Sequence, residues 1–320
     1  FLVNRRPPAA GAREQAWVFQ AALRVHSPVD FVARADHRAV HEAGEGPDWD
    51  ELVADLQHRD VVEHAVGHNV SVHAVCGADG GCRVAATAWL PRAAVHRVVP
   101  GQVADVTLGM EDLAACPSGQ ATADALAGLG RHYAAWIAAQ QATEVAEGRR
   151  RETLDGLLER ADVARRRIDA GVALLARDPV AWDAFRLANR TIAAALRQRA
   201  SHDGGPRPEL APAPTWRPFQ LAFILMNLPG LAEPRHEDRK LVDLLFFPTG
   251  GGKTEAYLGL AAFTMVLRRL RQPGIASAGV CVLMRYTLRL LTLDQLGRAA
   301  TLICALELER ERAPEKLGTW

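Results

Sequence analysis

Lysine is almost missing from this chain. Of 38 basic residues only Lys240, Lys253 and Lys316 are lysines, and the rest are arginines. Arginine, alanine and glycine in excess with scarce lysine is the signature of a GC-rich coding sequence, and it makes each lysine informative. Charge of one sign is also lacking: 38 basic and 37 acidic residues leave a formal net charge of +1. No polyanionic partner follows from that balance, although a local basic face is compatible with it. No apolar run approaches the roughly 18 residues that a membrane span needs, and no signal peptide is present, so no membrane is expected. Cysteine is sparse, odd in number and scattered (Cys76, Cys82, Cys116, Cys281, Cys304). That argues against a disulfide framework and for a reducing compartment, the cytoplasm. Cys76 and Cys82 flank a glycine-rich turn, but no second pair follows at zinc-site spacing, so neither a disulfide nor a metal role is expected of them. His58, His64, His68 and His73 lack regular ligand spacing and an acidic second shell, and are read as surface and strand histidines. The chain opens on Phe1 instead of Met and ends at Trp320 in mid-architecture, which suggests a fragment.

The length of 320 residues suits two domains, and 49% hydrophobic with 23% charged residues suits globular ones. The expected fold class is mixed α/β: a helix-rich α+β N-terminal domain, followed by the start of a RecA-like P-loop parallel α/β core. Residues 17–25 read as a strand with a turn at Ser27-Pro28, and residues 49–64 as an amphipathic helix ended by Gly67. Residues 69–75 and 83–90 read as a hairpin around residues 77–81. From 122 to 200 the pattern is helical. Leu154, Leu157, Ala161, Ala164, Ile168, Val172 and Leu175 share one face. Asp178-Pro179 supplies an N-cap and a first-turn proline, and Trp182, Phe185, Asn189, Ile192 and Leu196 make a second stripe. These two helices are expected to form an antiparallel hairpin. Arginines cluster at 149–151 and 165–167, either as a solvated face or as phosphate contacts. Residues 201–214, rich in Gly and Pro, read as a linker between an accessory domain (1–200) and a second domain (215–320).

Chemistry concentrates in that second domain. Residues 241–247 (LVDLLFF) form a short apolar run of the kind found in buried parallel strands. Pro248, Thr249, Gly250, Gly251, Gly252, Lys253 and Thr254 follow, and residues 255–271 then read as a helix stopped by Pro273-Gly274. Strand, glycine loop, Lys-Thr and helix is the phosphate-binding arrangement. Glycines let the backbone amides converge on phosphates, and the helix N-terminus adds its positive end. Lys253 offers a compact cation to the β/γ-phosphates, and Thr254 a hydroxyl to Mg²⁺. The cofactors implied are ATP and Mg²⁺. The general pattern wants glycine at position 247, where this chain has Phe247. Superfamily 2 helicases relax that position, and the stretch here is similar to theirs.

Two neighbours narrow the class. Trp216-Arg217-Pro218-Phe219-Gln220 resembles the helicase element whose glutamine reads adenine, and an amide can donate and accept at once. Downstream, residues 279–284 read as a second strand, followed by Arg285-Tyr286-Thr287-Leu288-Arg289, similar to the helicase element that touches the nucleic-acid backbone. Arg285, Thr287 and Arg289 are the candidate contacts. Residues 241–298 are thus expected to form two adjacent parallel strands with a crossover helix.

Together these stretches resemble the large helicase subunit of the DISARM anti-phage system, most strongly over residues 216–306. Residues 17–23 and 67–74 extend the likeness. The resemblance implies an ATP-dependent helicase or translocase on DNA, with a partner subunit from the same defence system. No acidic box after a strand and no arginine fingers stand in the chain, so little turnover is expected of this piece alone. Two alternatives stay open: a P-loop ATPase of another class, which would lack the elements around Gln220 and Arg285, and a non-enzymatic module docking DNA or a partner.

Overall fold

The computed structural model describes residues 21–36, 48–92, 98–248, 250–285 and 289–318, with the side chains of 289–292 outside the description. The chain divides into two compact units: Phe1–Arg97 with Val145–Thr153, and Val98–Glu144 with Leu154–Trp320. This division differs from the expected break at 201–214.

The first unit holds the strands. β1 (Arg24–His26), β2 (Ser71–Cys76) and β3 (Cys82–Ala88) form an antiparallel sheet in the order β1-β3-β2. β2 and β3 are the expected hairpin, with Ser71 opposite Ala88 and Cys76 opposite Cys82. Register slips at Val75/Cys76, where Arg83 is the extra residue, a bulge next to the turn. β1 is shorter than the expected strand, part of which lies outside the described residues. Helix α1 (Trp49–Gln57) starts on Asp48, whose side chain accepts from the Glu51 amide at 2.9 Å. It ends at His58, not at Gly67: Val61 and Val62 are β-branched and exposed, and offer the helix no packing. Buried Asp55 on α1 takes both oxygens to Arg150 (Nε 2.8 Å, Nη2 2.7 Å), and Arg150 also reaches Asp36 at 2.7 Å.

The second unit is helical. In chain order it contains α2 (Met110–Ala115), α3 (Gly119–Leu126), α4 (Gly128–Gln141), the body of α5 (Arg149–Arg177), α6 (Pro179–His202), α7 (Pro218–Ala232), α8 (Lys253–Arg271), α9 (Arg289–Arg312) and α10 (Pro314–Leu317). Asp178 caps α6 as expected, accepting from the amides of Val180 (2.9 Å) and Ala181 (3.0 Å). The two predicted stripes are largely buried, at Leu154, Ile168 and Leu175 on α5 and at Phe185, Asn189 and Ile192 on α6. But α6 buries ten residues, more than one stripe, because α2, α8 and α9 pack on it as well. It is the centre of the unit more than an arm of a hairpin. The Gly/Pro-rich segment 201–214 is strapped to this core: Arg197 donates to the carbonyls of Pro208 (3.1 Å) and Ala211 and pairs with Glu111 (2.6 Å).

The parallel sheet is where expectation and structure part. Among the described residues, neither 241–248 nor 278–285 belongs to a sheet. Residues 242–247 keep the alternation of a strand: Asp243, Leu245 and Phe247 are partly covered, while Val242 (97%), Leu244 and Phe246 stand exposed. A buried parallel strand needs ladder partners on its edges and helices on both faces. Here helices supply one face only, so the run is extended and unpaired. The correct part of the fold class is therefore mixed α/β, helix-rich, with one small antiparallel sheet; the RecA-like parallel core is not formed among these residues.

Candidate phosphate-binding site

Residues 248–254 link the extended run to α8. The turn is closed by the Gly251 amide donating to the Pro248 carbonyl at 3.0 Å. Gly250 (φ +79°) and Gly252 (φ +83°) are both left-handed, a conformation that excludes most side chains. A side chain at Gly252 would also press on the Gln220 carboxamide. A Cβ there would lie 2.7 Å from Gln220 Nε2. A Cβ on Gly250 meets nothing within 4 Å, so the space beside that glycine is open. Lys253 and Thr254 begin α8, which places both at the positive end of a 19-residue helix.

Helix α7 holds this loop from behind. Its first turn is fixed by the Gln220 carboxamide, whose oxygen accepts from the Arg217 amide at 2.7 Å. The same carboxamide donates from Nε2 to the Gly252 carbonyl at 2.6 Å. Arg217 donates to the Gly251 carbonyl at 2.5 Å. Phe219 stacks on Phe247 at 4.1 Å between ring centres. Thus Phe247, which departs from the general motif, serves as an aromatic lid on Gly251: a Cβ on that glycine would sit 2.1 Å from the Phe247 ring. Gln220 is buried, and it couples α7 to the loop through hydrogen bonds that no sequence pattern announces.

The loop forms one wall of a cleft of about 630 Å³, lined also by Arg217, Gln220, Tyr257, Gln295 and Arg298. Lys253 folds back over its own loop, donating to the carbonyls of Phe247 and of Pro248 (3.2 Å). Glu255, the residue after Thr254, pairs with Arg298 of α9 at 2.9 Å, and Arg298 pairs with Asp294 at 3.0 Å. Sequence reasoning missed Arg298 and quoted Arg217 only as part of the element around Gln220, because an arginine in a chain so rich in them carries no signal.

The remaining predicted residues are less gathered. Thr249 and Thr287 lie outside the described residues. Arg285 is exposed in the extended segment ahead of α9, and Arg289 opens α9. The arginine clusters are spoken for. Arg165 pairs with Asp162 and Asp169, Arg166 with Asp162, and Arg167 with Asp238 and, by two hydrogen bonds, Asp243. Arg167 thereby holds the segment that leads into the glycine loop.

Glycine loop, lysine, clamping α7 and cleft thus stand together as one built site. The chain is similar to the DISARM protein DrmA of Bacillus paralicheniformis. The two are 39% identical over 202 residues, which are 60% of this chain and 18% of that protein. This chain therefore spans just under a fifth of the DrmA protein's length in the matched region. No family model matches it. No helix among the described residues is long and apolar enough to cross a membrane.

Proposed function

We propose that this chain carries the nucleotide-binding start of an ATP-dependent, superfamily 2 helicase-type motor that works on DNA in anti-phage defence. The observation that carries the reading is the loop at 250–254. It is left-handed at Gly250 and Gly252, open beside Gly250, and joined to the N-terminus of a long helix inside a cleft. Phosphate oxygens fit there because a Cβ on Gly250 would meet nothing within 4 Å and the helix end is electropositive. Lys253 is the cation for those oxygens. Its present partners are two loop carbonyls, neutral acceptors that an anion displaces. Thr254 would hold Mg²⁺, which supplies charge neutralisation on the phosphates when bound. Gln220 faces the same cleft and retains one N–H for a base edge after bonding Gly252.

The likeness to DrmA supports the defence context and a partner subunit from the same system. Arg285, Thr287 and Arg289 are the proposed contacts to the DNA backbone. The exposed apolar side of residues 242–246 supports a sheet completed by further strands of the whole protein. The test is Lys253→Ala in the whole protein. ATP turnover falls to background while the circular dichroism spectrum is unchanged, since the lysine's task is to stabilise charge at the phosphates. Undiminished turnover in the folded variant refutes the assignment.

A further inference from the structure

The first unit brings together three residues of soft and borderline metal-ligand chemistry. Cys76 ends β2, Cys82 opens β3 directly opposite it, and His64 comes from the loop after α1. One ring nitrogen of His64 and the two sulfurs lie within 4.8 Å of one another. Tetrahedral Zn²⁺ with Zn–S bonds near 2.3 Å sets its ligands about 3.8 Å apart, so small side-chain adjustments close the set.

Four features show that the cluster is built. Cys82 is fully buried, in a unit whose described residues bury little else apolar than Leu56. The Phe31 backbone ties the loop to the hairpin: its amide donates to the Cys82 carbonyl at 2.7 Å, and its carbonyl lies 3.2 Å from His64 Nδ1. A carbonyl only accepts, so Nδ1 carries the proton and Nε2 keeps the lone pair that a metal takes. The hairpin bulge at Val75/Cys76 is what sets both sulfurs side by side. Finally, both thiols are free, with no disulfide between them.

We propose that His64, Cys76 and Cys82 form a zinc site, with the fourth position on the exposed Cys76 side taken by water. Two thiolates and an imidazole select zinc over magnesium or calcium. The ion replaces the missing core: it joins the hairpin end to the loop after α1, as metals do in domains too small to bury enough apolar surface. Binding releases the two thiol protons to solvent and involves no redox change.

The test uses the whole chain, stripped with a chelator under reducing conditions. Co²⁺ titration should give one ion per chain, with a thiolate charge-transfer band and the strong visible bands of tetrahedral cobalt, and Zn²⁺ should bleach both. Cys76→Ser should remove most of the charge-transfer intensity, and His64→Gln should weaken binding at least tenfold. A measurement free of variants guards against misfolding: Zn²⁺ should slow alkylation of Cys76 at least tenfold and leave Cys304, which is also exposed, unchanged. Absence of tetrahedral cobalt bands in the folded chain overturns the proposal. So does a Cys76–Cys82 cross-link in the unreduced protein whose reduction yields no metal binding, or equal protection of both cysteines.

Discussion

At the scale of single residues, the second unit depends on polar groups buried with partners. Trp216 donates from its indole to Asn189 Oδ1 at 2.7 Å, and Asn189 donates to the Phe185 carbonyl at 2.9 Å, all inside the core. Asn189→Leu strands the indole N–H, and an unsatisfied buried donor costs about 1–3 kcal/mol. Chemical denaturation should show that loss, and a variant as stable as the parent removes the argument. Asp183 behaves differently because it is charged. Burial pushes its carboxyl up, but hydrogen bonds and charge from Lys316 and Arg186 outweigh that and hold it below the ordinary carboxylate value. A depressed folded-state value means the stabilisation is complete above the unfolded-state pKa and is lost as pH falls through the folded one. Asp183→Asn should therefore be less stable than the parent at neutral pH. The two stability curves should converge on the acid side, below the usual carboxylate range. A gap between them that stays constant with pH contradicts the ion-pair account.

At the scale of elements, close helix crossings rest on particular glycines. A Cβ on Gly171 of α5 would lie 2.0 Å from the backbone carbonyl oxygen of Leu225 in α7. Backbone cannot swing aside as a side chain can, so Gly171→Ala forces the helices apart, at about 1–3 kcal/mol or more. Gly297 on α9 meets nothing within 4 Å of its would-be Cβ. Alanine there removes unfolded-state freedom and improves helix propensity, a gain of up to about 1 kcal/mol. Opposite signs for these two identical substitutions, read as shifts in Tm, are the expected result. Destabilisation by both would mean that the packing at α9 is tighter than its geometry implies. The α7 clamp belongs to this scale too, since Arg217 and Gln220 reach the glycine loop only because one helical turn aims both at it.

At the scale of the whole molecule, the arginine clusters ask whether charge faces DNA or holds the fold. Arg167 is only 12% exposed, and it spans from α5 to Asp238 and Asp243 ahead of the glycine loop. Arg166 is 62% exposed, with Asp162 as its partner. Arg166→Glu in the whole protein should leave DNA affinity and its salt slope unchanged, whereas a phosphate contact would lower the slope by about one. Arg167→Ala should lower stability by freeing two carboxylates and the segment they anchor. A shallower salt slope for Arg166→Glu would restore a role for this face in binding nucleic acid.

Much of this was legible in the chain itself. The glycine loop with Lys253, the helix after it, the hairpin around 77–81, the Asp178 cap and the helical stretch from 122 to 200 follow from local rules. Backbone sterics, capping and periodicity act over a few residues. The strands expected at 241–247 and 279–284 did not form, because an apolar run declares burial but not its partners. A parallel ladder is built from residues far apart in sequence. Distance along the chain also hid the His64, Cys76 and Cys82 cluster: motif spacing is read within one segment, and here the Phe31 backbone brings the third ligand in from another. Likewise Gln220 announced a base contact, and tertiary structure added its bond to Gly252. The sequence determined which local pieces exist and which of them carries the glycine-loop pattern. Only the tertiary structure decided which arginines are consumed by carboxylates, which glycines carry helix crossings and which cysteines meet a histidine, because those depend on where separate segments of the chain come to rest.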